Sequence, residues 1–293
     1  MFDPSPDLCR RALLAGMIAA PVVGARQAMA APRDIADPAA DLERRIGGRL
    51  GVAHFVPRTG MLHGHRLEQR FPMCSTFKLL AVAAILARVD GRRDHLDARV
   101  AVREADRVAH APVTGPHIGG TMTLADLCAA AMRESDNVAA NLLLRRLGGP
   151  AGITAYAQSL GDRATRLDRW EPDLNSALPG DPRDTTTPAA MARLAGRILE
   201  GDSLRPRSRA LLRRWMTQTR TGLTRIRAGL PDSWSVGDKT GSGANGTAND
   251  VAWFHPPGGD PAILAIFLTD TQASAAARDA VFATIARHVA ARR

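Results

Sequence analysis

The sequence predicts an α+β fold: an antiparallel sheet built from both chain ends with flanking helices, and an all-α subdomain inserted between them. Three observations predict it. Strand-like apolar runs bounded by turn residues occur at 49–70 and again at 235–268. Helical spacing of apolar residues fills the middle of the chain. A last helical pattern, Ser274 to Val289, follows the final strand. A sheet interrupted by such an insertion leaves a seam, and pockets favour seams.

The elements follow in order. Residues 1–30 read as an export signal. Arg10-Arg11 supply the charged start, Ala12 to Val23 a short apolar run, and Ala28-Met29-Ala30 a small-x-small cleavage pattern. Periplasmic or secreted localisation follows, with cleavage near Ala30. The paired arginines fit the twin-arginine route, but such pairs recur along this chain, so the general export route stays open beside it. Residues 31–293 then form one domain, with sheet parts at about 40–72 and 220–293 and a helical part at about 73–219. Arg49 to Val56 predicts a strand, Pro57-Arg58-Thr59-Gly60 a turn, and Leu62 to Arg70 its partner strand. Ser75 to Val89, Thr123 to Arg133, Asn137 to Leu147, Ile153 to Leu160 and Pro188 to Leu199 carry helical spacing. Thr123-Leu124-Ala125-Asp126 reads as a capping box with Asp in place of Glu. Gly148-Gly149-Pro150 stops the third of these helices. Arg163 to Thr187 is polar and Pro-rich, and longer than an ordinary connector, which points to a functional loop. Ser235 to Val236, Asp250 to His255 and Ala262 to Leu268 predict strands.

Of 39 Lys and Arg residues only two are lysines, Lys78 and Lys239. Arg stays protonated in proteins, whereas a buried Lys can lose its proton and act as a base. The two lysines therefore mark candidate chemistry. Lys78 closes Ser75-Thr76-Phe77-Lys78 at a predicted helix start, where backbone N–H groups favour a developing anion. A serine hydroxyl needs a neighbouring base to become a nucleophile. Ser135-Asp136-Asn137 lies between two helical segments; Ser135 can pass a proton and Asn137 can orient a substrate. Lys239-Thr240-Gly241-Ser242-Gly243 reads as an edge strand running into glycines, with a cation and hydroxyls suited to a carboxylate. The backbone N–H groups of Ser75 and Ser242 suit an oxyanion hole. In the long loop, Glu171 arrives with Asn175, which can hold a water beside it. Arg169 and Asp184 bracket the loop in position to close its neck by an ion pair.

Each motif alone also fits a plain structural reading, such as a surface turn or a hairpin. Jointly they resemble the class A serine β-lactamases, over roughly residues 40–291. The resemblance implies that Ser75 attacks the β-lactam carbonyl to form an acyl-enzyme. It implies that Lys78 and Glu171 share the acylation base role, and that Glu171 with Asn175 activates the deacylating water. Ser135 would relay a proton to the departing nitrogen. Lys239, Thr240, Ser242 and Arg225 would meet the substrate carboxylate, Asn137 the acylamino side chain, and His110 the site mouth. No cofactor and no metal are implied; His54, His63 and His65 read as surface residues. The chain departs from the family at two cysteine positions. Cys128 has Val82 where a disulfide partner often stands, and Cys74 has Gly243 where some members carry a second cysteine, so neither bridge is expected. Cys74 reads as a small buried thiol.

The formal net charge of +10 raises nucleic-acid binding as a partner class. The arginines are scattered among 29 acids and aromatics are only 4% of residues, which argues against it. A penicillin-binding DD-peptidase shares the Ser-x-x-Lys and Lys-Thr-Gly elements and lacks the Glu171–Asn175 loop. A β-lactam sensor would follow a membrane anchor. The expected partners are small-molecule β-lactams alone, with no membrane after signal cleavage, and the expected state is a monomer.

Overall fold

The computed structural model describes residues 35–292. The export-signal reading of residues 1–30 lies outside them. The strands are β1 (Arg49–Val56), β2 (Met61–His65), β3 (Phe71–Pro72), β4 (Arg99–Ala101), β5 (Thr121–Thr123), β6 (Thr185–Thr186), β7 (Ser235–Ser242), β8 (Ala248–His255) and β9 (Ala262–Thr269). The helices are α1 (Ala36–Ile46), α2 (Phe77–Asp90), α3 (Leu124–Arg133), α4 (Asn137–Arg146), α5 (Ala151–Ser159), α6 (Pro188–Leu199), α7 (Pro206–Thr217) and α8 (Ala275–Ala290).

The main sheet has the order β2-β1-β9-β8-β7, and every pairing in it is antiparallel. β1 pairs with β9 through Val52↔Ile266 and Ala53↔Ala265, so the two ends of the chain share one sheet, as expected. Both faces of that sheet are covered. Leu50, Val52, Leu264, Ile266 and Leu268 pack with Phe282, Ile285 and Val289 of α8 on one side. Ala53, Ile263, Ala265 and Phe267 face the middle helices on the other. Period-two alternation between two apolar layers explains why β9 is buried along its whole length.

α2 is buried from Phe77 through Leu86. A helix that is apolar nearly all round belongs in a core, and α3, α4, α5 and α7 pack about it. Its one interior cation is Lys78, with 0% exposure. The Thr123 cap forms, though not as a full reciprocal box. Its hydroxyl accepts from Asp126 N (3.1 Å) and donates to the Asp126 carboxylate (2.6 Å).

The structure corrects several readings. The second strand stops at His65, and Arg66 takes φ 48°, which ends the extended run. Ser235–Val236 and the Lys-Thr-Gly edge are one strand, β7. α1 and α7 were not predicted. α1 turns Glu43 inward, where its carboxylate accepts from Leu50 N (3.1 Å) and Arg66 Nε (2.6 Å) and pairs with His65 Nε2 (2.7 Å). A buried acid breaks the apolar stripe that periodicity looks for. In α7 the arginines surround the short buried stripe Leu212, Trp215 and Met216. His54 is not a surface residue: it is 5% exposed, and its Nδ1 meets His63 Nε2 at 3.0 Å. Cys74 and Cys128 are buried free thiols. Among the described residues no helix is long and apolar enough to cross a membrane, and no acid, His and Cys group is arranged to hold a metal ion.

Candidate active site

Ser75 lies in a single 3-10 turn, Cys74–Thr76, that leads into α2. Cys74 holds φ 44°, a left-handed conformation that costs a non-glycine residue of the order of 1–3 kcal/mol and tends to occur at functional sites. β7 packs directly on this turn. A Cβ at Gly241 would sit 2.7 Å from Met73 O and 3.2 Å from Ser75 N, so only glycine fits there. The packing brings Ser75 and the end of β7 together, as the motifs required.

Lys78, one turn into α2, reaches across to the loop before α4. Its Nζ donates to Ser135 O (2.7 Å) and Asn137 Oδ1 (2.6 Å), and sits 3.4 Å from Ser135 Oγ. It also pairs with Glu171 Oε1 at 2.9 Å, both side chains fully buried. The same Oε1 accepts the Ser75 hydroxyl at 3.1 Å. One carboxylate oxygen thus faces both the serine and the lysine. Burial pulls the Lys78 ammonium below its ordinary range, against the opposing field of Glu171. Lys239 is also fully buried; its Nζ donates to Ser135 Oγ (3.0 Å) and Thr240 O (2.8 Å). Burial, with the Lys78 charge close by, brings it down to about 7. Ser135 therefore stands between two lysines, at φ 56°. Asp136, the middle residue of that motif, fixes this bend. It accepts from Val113 N (3.0 Å), Thr114 N (2.9 Å), Thr114 Oγ1 (2.7 Å) and Ala139 N (2.9 Å). Asn137 is turned inward, with its Nδ2 on Ala109 O (2.9 Å) and its main-chain N–H on His110 O (2.9 Å). His110 is exposed at the rim, its Nε2 3.0 Å from Glu134 O.

The long loop closes as its ends predicted. Arg169 Nε meets Asp184 Oδ2 at 2.6 Å, and Asp184 Oδ1 accepts from Asp168 N (2.7 Å) and Arg169 N (2.9 Å). Asn175 Nδ2 donates to Glu171 Oε2 at 2.5 Å. Asn141 of α4, which no motif flagged, grips the main chain of Glu171: its Oδ1 accepts from Glu171 N (3.0 Å) and its Nδ2 donates to Glu171 O (2.9 Å). The far side of the loop is tied to the β7–β8 turn by Ala244 N to Asn175 O (2.9 Å) and Asn245 Nδ2 to Ala177 O (2.9 Å).

Thr240 Oγ1 pairs with Thr221 Oγ1 at 2.6 Å. Arg225 is held by Asp279 (2.9 Å) and donates to Gly241 O (3.0 Å), Asn249 O (2.7 Å) and Ser242 Oγ (2.9 Å). It therefore joins the cluster at the end of β7 with Thr240 and Ser242. The sequence reading gave Asp136 no role inside its motif, and it missed Asn141, Asn249 and Asp250, which belong to no motif. A polar residue amid an apolar helix or strand was the available signal for Asn141 and Asp250.

With this geometry, comparison with known proteins is specific. A profile described as "Beta-lactamase enzyme family" matches residues 34–292. The chain is 44% identical over 268 residues to β-lactamase CTX-M-8 of Citrobacter amalonaticus, covering 92% of each chain. It is 45% identical over 258 residues to a β-lactamase of Streptomyces albus G, covering 86% of this chain and 82% of the other. Among solved structures, an ancestral class A β-lactamase superposes with TM-score 0.86 at 54% identity, over 87% of this chain and 98% of that one. A putative class A β-lactamase, PenP from Rhodopseudomonas palustris, superposes with TM-score 0.87 at 50% identity, over 88% and 99%. By sequence along nearly all its described length, and by fold, the chain belongs to the class A β-lactamases.

Proposed function

We propose that the enzyme opens the β-lactam amide through a Ser75 acyl-enzyme, and that Glu171 activates the water that releases it. The observation that carries this reading is the shared Glu171 Oε1, within 3.1 Å of the Ser75 hydroxyl and 2.9 Å of Lys78 Nζ. In acylation the Ser75 proton passes to this Glu171–Lys78 pair as Oγ attacks the carbonyl. The N–H groups of Ser75 and Ser242 stabilise the oxyanion. The departing nitrogen takes its proton from Ser135, which the two lysines flank. Lys239, Thr240, Ser242 and Arg225 bind the substrate carboxylate, Asn137 the acylamino group, and His110 borders the entrance. In deacylation Glu171, held by Asn175 and Asn141, takes a proton from water as it attacks the ester. Export to the periplasm, resistance to β-lactams and a monomeric state complete the reading.

The test uses residues 31–293, a chromogenic cephalosporin, and intact mass of wild type, Ser75→Ala and Glu171→Ala. Steady turnover by wild type, none by Ser75→Ala, and an acyl adduct trapped only in Glu171→Ala are expected. A wild-type protein that gives one stoichiometric burst and stays acylated would refute the deacylation step and return the penicillin-binding reading.

A further inference from the structure

Two adjacent residues of β8 hold opposite sides of the site. Asn249 stands opposite Gly241 in the β7–β8 ladder, and Asp250 stands opposite Thr240. Successive strand side chains point to opposite faces. Both residues are 0% exposed. Asn249 Nδ2 donates to Pro72 O (2.8 Å) and Met73 O (3.0 Å), the two carbonyls just before the turn that carries Ser75. Asp250 Oδ2 accepts from Ile226 N (3.1 Å), the peptide that follows Arg225.

We propose that Asn249 and Asp250 are positioning residues with divided duties: Asn249 sets the placement of the Ser75 turn, and Asp250 sets where Arg225 meets the substrate carboxylate. The proposal rests on the catalytic reading above. It gives each residue a distinct kinetic signature. Ser75 placement acts on the chemical step. Arg225 placement acts on carboxylate binding. A change at 249 therefore falls on kcat, and a change at 250 falls on KM.

The surroundings of Asp250 also bear on its charge. Its Oδ1 has no hydrogen-bond partner among the described residues. The cations near it are committed elsewhere: Arg225 to Asp279 (2.9 Å), Arg227 to Asp238 (2.6 Å), and Lys239 to Ser135 and Thr240 O. Asp238 lies on the same face of the sheet, one diagonal step away on β7, and adds a like charge. Burial and that neighbour push Asp250 well above the carboxylate range. The charged form is therefore disfavoured. Under the proposal Asp250 works as a neutral acid accepting the one N–H of Ile226. An asparagine side chain has the same shape and offers the same acceptor.

The experiment is steady-state kinetics of the full mature enzyme on benzylpenicillin and a chromogenic cephalosporin, with wild type, Asn249→Ala, Asp250→Ala and Asp250→Asn. Asn249→Ala is expected to lower kcat by about tenfold or more with KM within about threefold. Asp250→Ala is expected to raise KM by about tenfold with kcat within about threefold, and Asp250→Asn to stay within about threefold of wild type in both. If both alanine variants depress the same parameter, or if Asp250→Asn behaves like Asp250→Ala, the division is wrong. Should an alanine variant not fold, Asn249→Ser and Asp250→Ser carry the same expected split. Infrared spectroscopy reads the charge without turnover: a protonated-carboxyl carbonyl band in wild type at neutral pH, missing from Asp250→Asn, is expected. Its absence from wild type overturns the neutral acid. A wild type without activity would instead sink the catalytic reading and leave the infrared result standing.

Discussion

Replacing Asn141 by Ala removes the clamp on Glu171 while leaving every motif residue in place. Two hydrogen bonds disappear, to Glu171 N (3.0 Å) and Glu171 O (2.9 Å). Glu171 is 3% exposed, so its peptide groups gain little water in exchange. At about 1 kcal/mol for each bond, the placed conformation of Glu171 loses about 2 kcal/mol. At 1.36 kcal/mol per decade this slows the Glu171-dependent step about thirtyfold. In the mechanism proposed above, acylation and deacylation both involve Glu171 while Lys78 supports only the first, so deacylation should fall further. Intact mass sampled during turnover of a slow cephalosporin should show acyl adduct as the main species in Asn141→Ala and a minor one in wild type. If the whole cost fell on global stability, the melting temperature would drop by about 4–8 °C for a chain of this size. A smaller drop with adduct accumulation places the damage in the loop. Wild-type kcat without adduct would refute the argument that Asn141 holds the catalytic carboxylate.

Three further outcomes are expected. Asp184→Asn keeps acceptors for the two N–H groups but loses the charge facing Arg169, and should weaken the loop neck by about 1–3 kcal/mol; limited proteolysis should then cut within 169–184 faster than in wild type, and an unchanged cleavage rate counts against the neck. Lys239 titrates near 7 when folded and in the ordinary lysine range when unfolded, so between those values the unfolded chain holds more protons and stability rises with pH. Substrate binding runs the other way under the proposed role of Lys239, since an ammonium assigned to the carboxylate is lost above about 7; kcat/KM should fall on that limb, and Lys239→Arg should extend it to higher pH, whereas superimposable profiles would remove Lys239 from carboxylate binding. Cys74 and Cys128 are buried thiols pushed far above the usual range by desolvation, so a thiol reagent should label neither in folded residues 31–293 and both after unfolding; rapid labelling of the native protein contradicts their burial.

The sheet from both chain ends was legible because β1, β8 and β9 are long apolar runs between clear turn residues. The catalytic cluster was legible because two lysines in an arginine-rich chain each stood beside a serine motif. What stayed hidden has physical causes. α1 and α7 bury only narrow stripes, one interrupted by Glu43 and the other ringed by arginines. β7 reads as two pieces because Gly237 and Asp238 break an apolar pattern, yet both are buried. Asn141, Asp136, Asn249 and Asp250 act through main-chain groups, so their partners are defined only once the chain is folded. The inward turn of Asn137 toward Lys78 likewise depends on a tertiary contact that spacing does not encode.

Both lysines of the chain are completely enclosed, and every other basic side chain apart from histidine is an arginine. The exterior of the folded enzyme therefore presents no lysine ammonium group. A β-lactam is an acylating agent toward amines as well as toward a serine, and this enzyme meets it with a coat that has almost nothing to acylate. Amine-directed dyes, crosslinkers and carbamylating agents will find no lysine side chain to react with on the folded surface.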